Sequence, residues 1–332
     1  MRIDNIRSSS YNNYDSCQWD YYLKYDIGFE SKGSIKTDMG TLIHLALEIL
    51  AKVKKNNHHL LKDKYSDPEY IFEVVWNSKT KEWKDIHNFT EKEYDFCKSS
   101  FYKIINSRDN PLLLNILDTE KQFSIEIQKR GFSYEDSNGV KQYLKLRGTI
   151  DLITISDANT IRVLDWKSGR RNCWITGKLK EIDDFEKDMQ LRIYNLALKY
   201  IYPQYKNRLF TINYINDGGP FTVSFDDSDI EKTIDNLRRR FQEIRFNNEP
   251  SRLKDDPSRK KDLWKCKYVC QFGKQKDEYG RPVCNTYHNI LKDYGIVKTN
   301  QILTDISLEG KSLNISDRNN YNHDRMYRGI IK

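Results

Sequence analysis

The chain has 332 residues and a mass of 39.6 kDa, enough for one large domain or two ordinary ones with a sizeable core. Its 56 Lys and Arg outweigh 48 Asp and Glu, a net charge of +8 that suits a polyanionic partner. No apolar run of about 18 residues is present, which excludes a membrane-spanning helix. The opening Met1-Arg2-Ile3-Asp4-Asn5 lacks an apolar segment and predicts no secretory signal, hence a cytoplasmic protein.

In chain order, a serine-rich start caps a predicted helix over 9–25, with Tyr14, Cys17, Tyr21 and Tyr25 at helical spacing. A strongly apolar helix over 39–54 follows Thr37 and Asp38. Residues 68–107 hold one or two amphipathic helices with Trp76, Trp83, Phe96 and Phe101, a helical insertion ahead of the sheet. Strands follow at 122–130, 143–155 and 161–167, then a helix over 184–201. Strands at 208–215 and 220–225 are joined by Asp217-Gly218-Gly219, a hairpin signal. Ser228-x-x-Glu231 reads as a capping box for a helix that buries Ile230, Ile234, Leu237, Phe241 and Ile244. From Asn247 the chain turns polar, passes a cysteine-bearing segment at 264–288, and ends in a polar tail over 296–332. The fold class is α/β: a small mixed sheet flanked by helices.

The chemistry concentrates between Gly148 and Lys167. Leu144, Leu146, Ile150 and Leu152 alternate with Lys145, Arg147, Thr149 and Asp151, a strand pattern of period two. Asp165 and Lys167 share a face of the next strand, and Ser156-Asp157-Ala158-Asn159 between the runs is turn chemistry. A hairpin would bring Asp151 close to Asp165. Two adjacent carboxylates repel unless a cation sits between them, and hard oxygen ligands suit magnesium or manganese. Gly148 leaves room for a close backbone approach beside this spot. His44 on its apolar helix is either a core histidine or a ligand. Glu48 is either its partner or an exposed charge. Gln190 and Tyr194 project from one helix face, and Glu120 precedes the first core strand without joining the catalytic set.

Gly148-x-x-Asp151, Asp165-x-Lys167 and Gln190-x-x-x-Tyr194, with Gly40-x-x-x-His44 upstream, resemble the PD-(D/E)XK nuclease superfamily in its RecB-like branch. That branch includes AddB-type nucleases, CRISPR-adaptation exonucleases and phage relatives, and the resemblance spans about 8–295. It implies that His44, Asp151, Asp165 and the backbone carbonyl of Trp166 ligate Mg2+ or Mn2+. It also implies that Lys167 orients the attacking water and that Gln190 and Tyr194 close over the scissile phosphate.

Cys17 with Cys266, Cys270 and Cys284 is similar to the branch's split iron–sulfur staple, although the spacing departs from the usual one. A [4Fe–4S] cluster or a structural zinc, the latter with His288, would fit four such donors. Such a staple would join both ends of 1–295 into one domain, leaving Cys97 and Cys173 as free thiols. The resemblance implies a metal-dependent deoxyribonuclease, an exonuclease acting on DNA ends or single strands in recombination, repair or phage DNA metabolism. A non-catalytic DNA-end-binding protein of the same fold is the alternative. The chain has no Gly-x-x-x-x-Gly-Lys-Ser/Thr loop, so any partner helicase is a separate polypeptide. Basic clusters at Arg170-Arg171, Arg238-Arg239-Arg240 and Lys260-Lys261 are either solvated faces or DNA contacts.

Overall fold

Burial decides where the strands lie. Ile161, Val163, Leu164 and Trp166 are all at most 1% exposed, so strand β6 (Thr160–Lys167) is covered on both faces and reads as an almost continuous apolar run. The computed structural model describes residues 1, 3–30, 33–57, 64–172 and 178–313. These fall into two compact units, both discontinuous in sequence. A sheet unit takes the described residues of 33–123 and 148–230, and a cysteine unit takes those of 1–32, 124–147 and 231–318. The chain crosses between these units four times within 1–295, after residues 32, 123, 147 and 230. No linker-like composition marks these crossings, because each falls inside or beside a regular element.

In the sheet unit, β5 (Lys145–Asp157) and β6 form the expected hairpin, with Leu152 opposite Leu164 and Ile153 opposite Val163. Asp151 and Asp165 lie just beyond this rung, close enough for the Asp151 charge to act on Asp165. Strand β7 (Asn207–Tyr214) runs parallel to β6, with Asp165 beside Ile212 and Lys167 beside Tyr214. Strand β8 (Phe221–Ser224) is antiparallel to β7, and β2 (Ile116–Glu126) pairs with β5, so the sheet is mixed. Strand β2 starts six residues earlier than expected, which takes Glu120 into the strand.

Helix α3 (Ile35–Lys55) begins where the Ser34 hydroxyl accepts the Thr37 amide, one turn ahead of the expected start. Leu42, Ile43, Leu45, Ala46, Leu47, Ile49 and Leu50 are all buried, as befits a helix that is apolar nearly all round. It shares one core with Leu152, Leu164 and Trp166 of the sheet and with Ile71, Phe72, Phe101 and Ile104 of α4 (Pro68–Glu82) and α5 (Glu91–Ile105). The supposed insertion is thus part of the main core. The helix expected over 184–201 is broken into α6 (Ile182–Glu186) and α7 (Met189–Ile201) by Asp188, whose carboxylate caps the second piece. Helix α8 (Asp227–Arg245) is capped by Asp226, which accepts the Ser228 and Asp229 amides, in place of the expected Ser228 box.

In the cysteine unit the expected helix over 9–25 is interrupted. Helix α1 (Ser8–Ser16) stops at Cys17, which is extended at φ −163°, and α2 (Gln18–Tyr21) runs on into a π-helical turn over Tyr22–Asp26. Strand β1 (Asn5–Ile6) lies parallel to Lys145–Leu146, and β3 (Ser133–Glu135) pairs with β4 (Lys141–Tyr143). Short helices α9 (Trp264–Tyr268) and α10 (Gln271–Lys274) precede α11 (Val283–Leu313), which bends at Gly295 with φ 70°. The polar tail expected from 296 is helical as far as 313. Its polar composition hides an apolar row at helical spacing, Ile296, Leu303 and Ile306, packed with Trp19, Tyr22, Leu23, Phe272 and Leu291. Residues 314–332 and Cys173 lie outside the described residues. No helix among the described residues is long and apolar enough to cross a membrane.

Candidate active site

Three elements of the sheet unit converge on one cluster of ligand-type atoms. His44 of α3, Glu120 of β2 and Asp151 of β5 each bring a donor atom within 4.8 Å of the other two. His44 Nδ1 stands 3.3 Å from Asp151 Oδ2, which also accepts the Trp166 backbone N–H at 3.2 Å. The imidazole sits edge-on to the Trp166 ring, with centroids 6.2 Å apart. Four residues before His44, Gly40 admits the Ser168 hydroxyl, which a Cβ there would meet at 2.9 Å.

Asp165 is the most enclosed acid of the site. It is fully buried, accepts Gln190 Nε2 on Oδ1 at 2.8 Å, and faces Lys167 Nζ across 2.6 Å on Oδ2. Burial, with the nearby Asp151 charge, pushes its carboxyl up to about 6, against the opposing pull of Lys167 and His44. Burial alone would lower the Lys167 ammonium, but Asp165 and Asp151 outweigh it and raise its pKa. Lys167 is therefore a fixed cation and a donor at neutral pH, not a base.

Gln190 and Tyr194 form a relay. The two N–H bonds of the Gln190 amide point at Asp165 and at the Tyr194 oxygen, and the Tyr194 hydroxyl donates to the Thr149 carbonyl at 2.8 Å. Tyr194 is buried. These bonds tether α7 to β5 and orient Gln190. Asp188 at the head of α7 accepts the Gln190 amide and pairs with Lys180 at 2.9 Å.

Glu120 is the residue that the sequence undervalued. It adopts φ +46°, a left-handed conformation uncommon outside glycine. Such strain persists only when the surroundings impose it, and it clusters at functional sites. Here it turns the carboxylate toward His44 and Asp151. Asp118, two residues earlier, holds the kink through Lys55 at 2.7 Å, Lys121 at 3.0 Å and the Tyr202 hydroxyl at 2.9 Å. Burial, then the Asp151 and Glu48 charges, push the Glu120 carboxyl up to about 9 despite Lys52. Glu48 is not an exposed charge: it is 1% exposed, and its carboxylate lies 2.7 Å from Lys52. Gly148 has a different use from the one expected. The Phe123 side chain, not a backbone, fills the space, and a Cβ on Gly148 would come within 2.5 Å of its ring.

The cysteine unit assembles the second predicted group. Cys17, Cys266, Cys270 and Cys284 sense one another electrostatically, and burial raises all four thiols, Cys270 and Cys284 up to about 12. The Leu253 amide donates to Cys17 Sγ at 3.4 Å, and Cys270 Sγ meets Asp20 at 3.5 Å. Lys254 and Arg252 bring positive charge to Cys266 and Cys284. His288 is buried edge-on to Trp19, and burial drives its imidazole down to about 4. Cys97 is a buried free thiol in the sheet unit, its Sγ 3.9 Å from the Met39 carbonyl.

The basic clusters separate by environment. Arg240 is buried over the Tyr11 and Tyr14 rings at 4.4 and 4.9 Å and so is structural, Arg238 pairs with Asp235 at 2.6 Å, and Arg239 is exposed. Arg171 lies over Phe221 at 4.6 Å. Lys260 and Lys261 are exposed.

The family model of the PD-(D/E)XK nuclease superfamily matches residues 8–274. No curated protein matches the chain. Among solved structures, a crystal structure from Eubacterium rectale described as a "putative exonuclease" aligns at 11% identity and a TM-score of 0.47. The alignment covers 78% of this chain and 88% of that one.

Proposed function

The chain belongs to the PD-(D/E)XK nuclease superfamily, and from that membership we propose that it is a divalent-metal-dependent deoxyribonuclease of the RecB-like branch. We read it as an exonuclease that acts on DNA ends or single strands. The observation that carries this is the convergence of His44, Glu120 and Asp151 beside the Asp165–Lys167 pair. Carboxylates and an imidazole gathered this closely in a half-buried pocket would be stabilised by a divalent cation between them. Its nitrogen and oxygen donors suit magnesium or manganese, with the Trp166 carbonyl as a further donor. When bound, such an ion lowers the pKa of water and neutralises phosphate charge.

The chain's own groups divide the remaining work. Lys167, held as an ammonium, orients water and offsets charge developing on the phosphorane. Asp165 holds Lys167 in place and would be a further metal ligand beside Asp151. Gln190 fixes the Asp165 carboxylate, and Tyr194 fixes Gln190 through Thr149. DNA is the substrate, and any helicase that feeds it would be a separate chain in recombination, repair or phage DNA metabolism.

Cys17, Cys266, Cys270 and Cys284 are read as holding a [4Fe–4S] cluster that clips α11 and the 264–274 helices to the N-terminal helices. Amide-to-sulfur bonding and the cations Lys254 and Arg252 suit an anionic thiolate cluster. A structural zinc on the same thiolates, with His288 as a further donor, is the alternative.

The test is a gel assay on 5′- and 3′-labelled single- and double-stranded DNA with magnesium or manganese, with Asp165→Ala as the control. Stepwise loss from an end, absent in the control, is expected. Equal cutting of closed circular DNA would overturn the exonuclease assignment, and no cutting with either metal would overturn the nuclease.

A further inference from the structure

We propose, resting on the reading that this chain acts on DNA, that residues 257–281 of the cysteine unit form a single-strand-binding surface. Trp264, Tyr268 and Tyr279 stack on bases there, and the surrounding lysines take phosphates. These rings are 43%, 63% and 72% exposed, large values for aromatic side chains on a folded surface. Trp264 and Tyr268 are one turn apart on α9 and so share a face. Leu263 and Val269 beside them are also exposed.

Positive charge accompanies every ring. Lys265 Nζ lies 5.9 Å from the Trp264 centroid, Lys267 Nζ 5.0 Å from that of Tyr268, and the Arg281 guanidinium 4.9 Å from that of Tyr279. Residues 257–281 hold eight Lys or Arg against three Asp or Glu, an excess of five in a chain whose total is eight. Asp262 and Asp277 pair with Arg259, Lys265 and Arg281. Lys260, Lys261, Lys267, Lys274 and Lys276 are exposed and enter no ion pair among the described residues.

The surface is held in shape. The Asp277 carboxylate accepts the Tyr279 and Arg281 amides, Arg281 Nε and the Thr286 hydroxyl, which fixes the turn that presents Tyr279. Gly273 lets α10 close on the Cys266 carbonyl, where a Cβ would clash. Cys266 and Cys270 flank Tyr268, so whatever binds those thiols also fixes the helix that carries the ring. Exposed rings interleaved with cations are how single strands are bound without sequence reading, because every unpaired base offers a π-face. A duplex keeps its bases stacked inside and gives the rings no partner. Protein interfaces are depleted in lysine, which is the dominant cation here.

The test measures fluorescence anisotropy of labelled oligo(dT), and of a blunt duplex of equal length, with the full-length protein in EDTA, where no cleavage occurs. Tyr268→Ala and Tyr279→Ala should each weaken oligo(dT) binding at least about fivefold, with duplex binding changed less than about twofold. Tyr268→Phe should keep wild-type affinity, because the ring remains. Lys267→Glu with Lys276→Glu should flatten the salt dependence, each lost phosphate contact removing roughly one from the slope. Unchanged oligo(dT) affinity in both tyrosine variants, or equal loss on both DNAs, would overturn the surface. Because binding is read without turnover, a protein that binds oligo(dT) here yet never cuts DNA would leave the surface standing and refute the nuclease alone.

Discussion

Replacing Glu120 with glutamine should make the metal-free protein more stable at neutral pH while weakening its grip on metal. The carboxyl titrates near 4.5 when unperturbed and at about 9 in the fold, where burial and the charges of Asp151 and Glu48 disfavour its anion. The folded chain therefore holds a proton that the unfolded chain releases. The contribution is fully present below about pH 4.5 and is lost as pH rises toward 9, at about 1.4 kcal/mol per unit. At pH 7 the loss reaches a ceiling of roughly 3 kcal/mol, a sizeable share of an ordinary stability of about 5–15 kcal/mol. Glutamine is neutral throughout and keeps the shape. Urea unfolding in EDTA should find Glu120→Gln close to wild type at pH 5 and progressively more stable than it at pH 7 and 8. With magnesium or manganese added, wild type should regain stability, by about 2.7 kcal/mol at a hundredfold excess over Kd, and the variant much less. Parallel pH profiles for the two proteins, or equal stabilisation by metal, would refute this account of Glu120.

Gly148→Ala should destabilise the protein by about 1–3 kcal/mol through overpacking against Phe123; Phe123→Leu in the same chain should recover part of the loss in thermal unfolding, and no recovery would point to a backbone cause. His44→Ala should raise the metal concentration needed for half-maximal cleavage, with manganese restoring more than magnesium because it accepts nitrogen and oxygen ligands. A variant that only melts earlier, with metal dependence intact, would mark a core histidine. Anaerobically purified protein should be brown, and Ala at Cys17, Cys266, Cys270 or Cys284 should bleach it and lower its melting temperature, whereas Cys97→Ala should leave the colour unchanged. Stoichiometric zinc without iron would replace the cluster with a zinc clip.

Most of the site was legible because it lies on strands whose alternation is a local property. Leu144, Leu146, Ile150 and Leu152 set the face of β5, and antiparallel pairing then obliges Asp151 to meet Asp165. Glu120 escaped because no periodic signal precedes Phe123, and because its aim depends on a left-handed kink that the Asp118 brace imposes from three other side chains. The relay through Tyr194 was hidden for a similar reason. Helical spacing shows that Gln190 and Tyr194 share a face, but only tertiary structure shows that the face is turned toward Thr149 and Asp165. The helix at 296–313 was masked by composition, since an apolar residue every three or four positions suffices when the partner surface is already built. The division into two units left no trace, because units assembled from several segments have no linker to read.

The electrostatics of the site imply that metal and DNA bind cooperatively. Glu48, Asp151 and Asp165 lie together around the protonated Glu120, against Lys52, Lys167 and a histidine, so the metal-free pocket disfavours a phosphate. An ion that displaces the Glu120 proton and offsets the Asp151 charge would remove that repulsion and offer the phosphate oxygens a ligand position. Linkage then requires the converse: DNA must tighten the metal by the same factor. With the non-cleaving Lys167→Ala variant, the apparent manganese affinity should rise at least about fivefold when a saturating DNA end is present, the lower range of measured couplings. Glu120→Gln in that background should weaken manganese binding with and without DNA while leaving the coupling nearly unchanged, because the Glu120 carboxyl already holds a proton in the metal-free fold. Independent binding of metal and DNA would mean that the phosphate sits away from these carboxylates, and the site as assigned would fall.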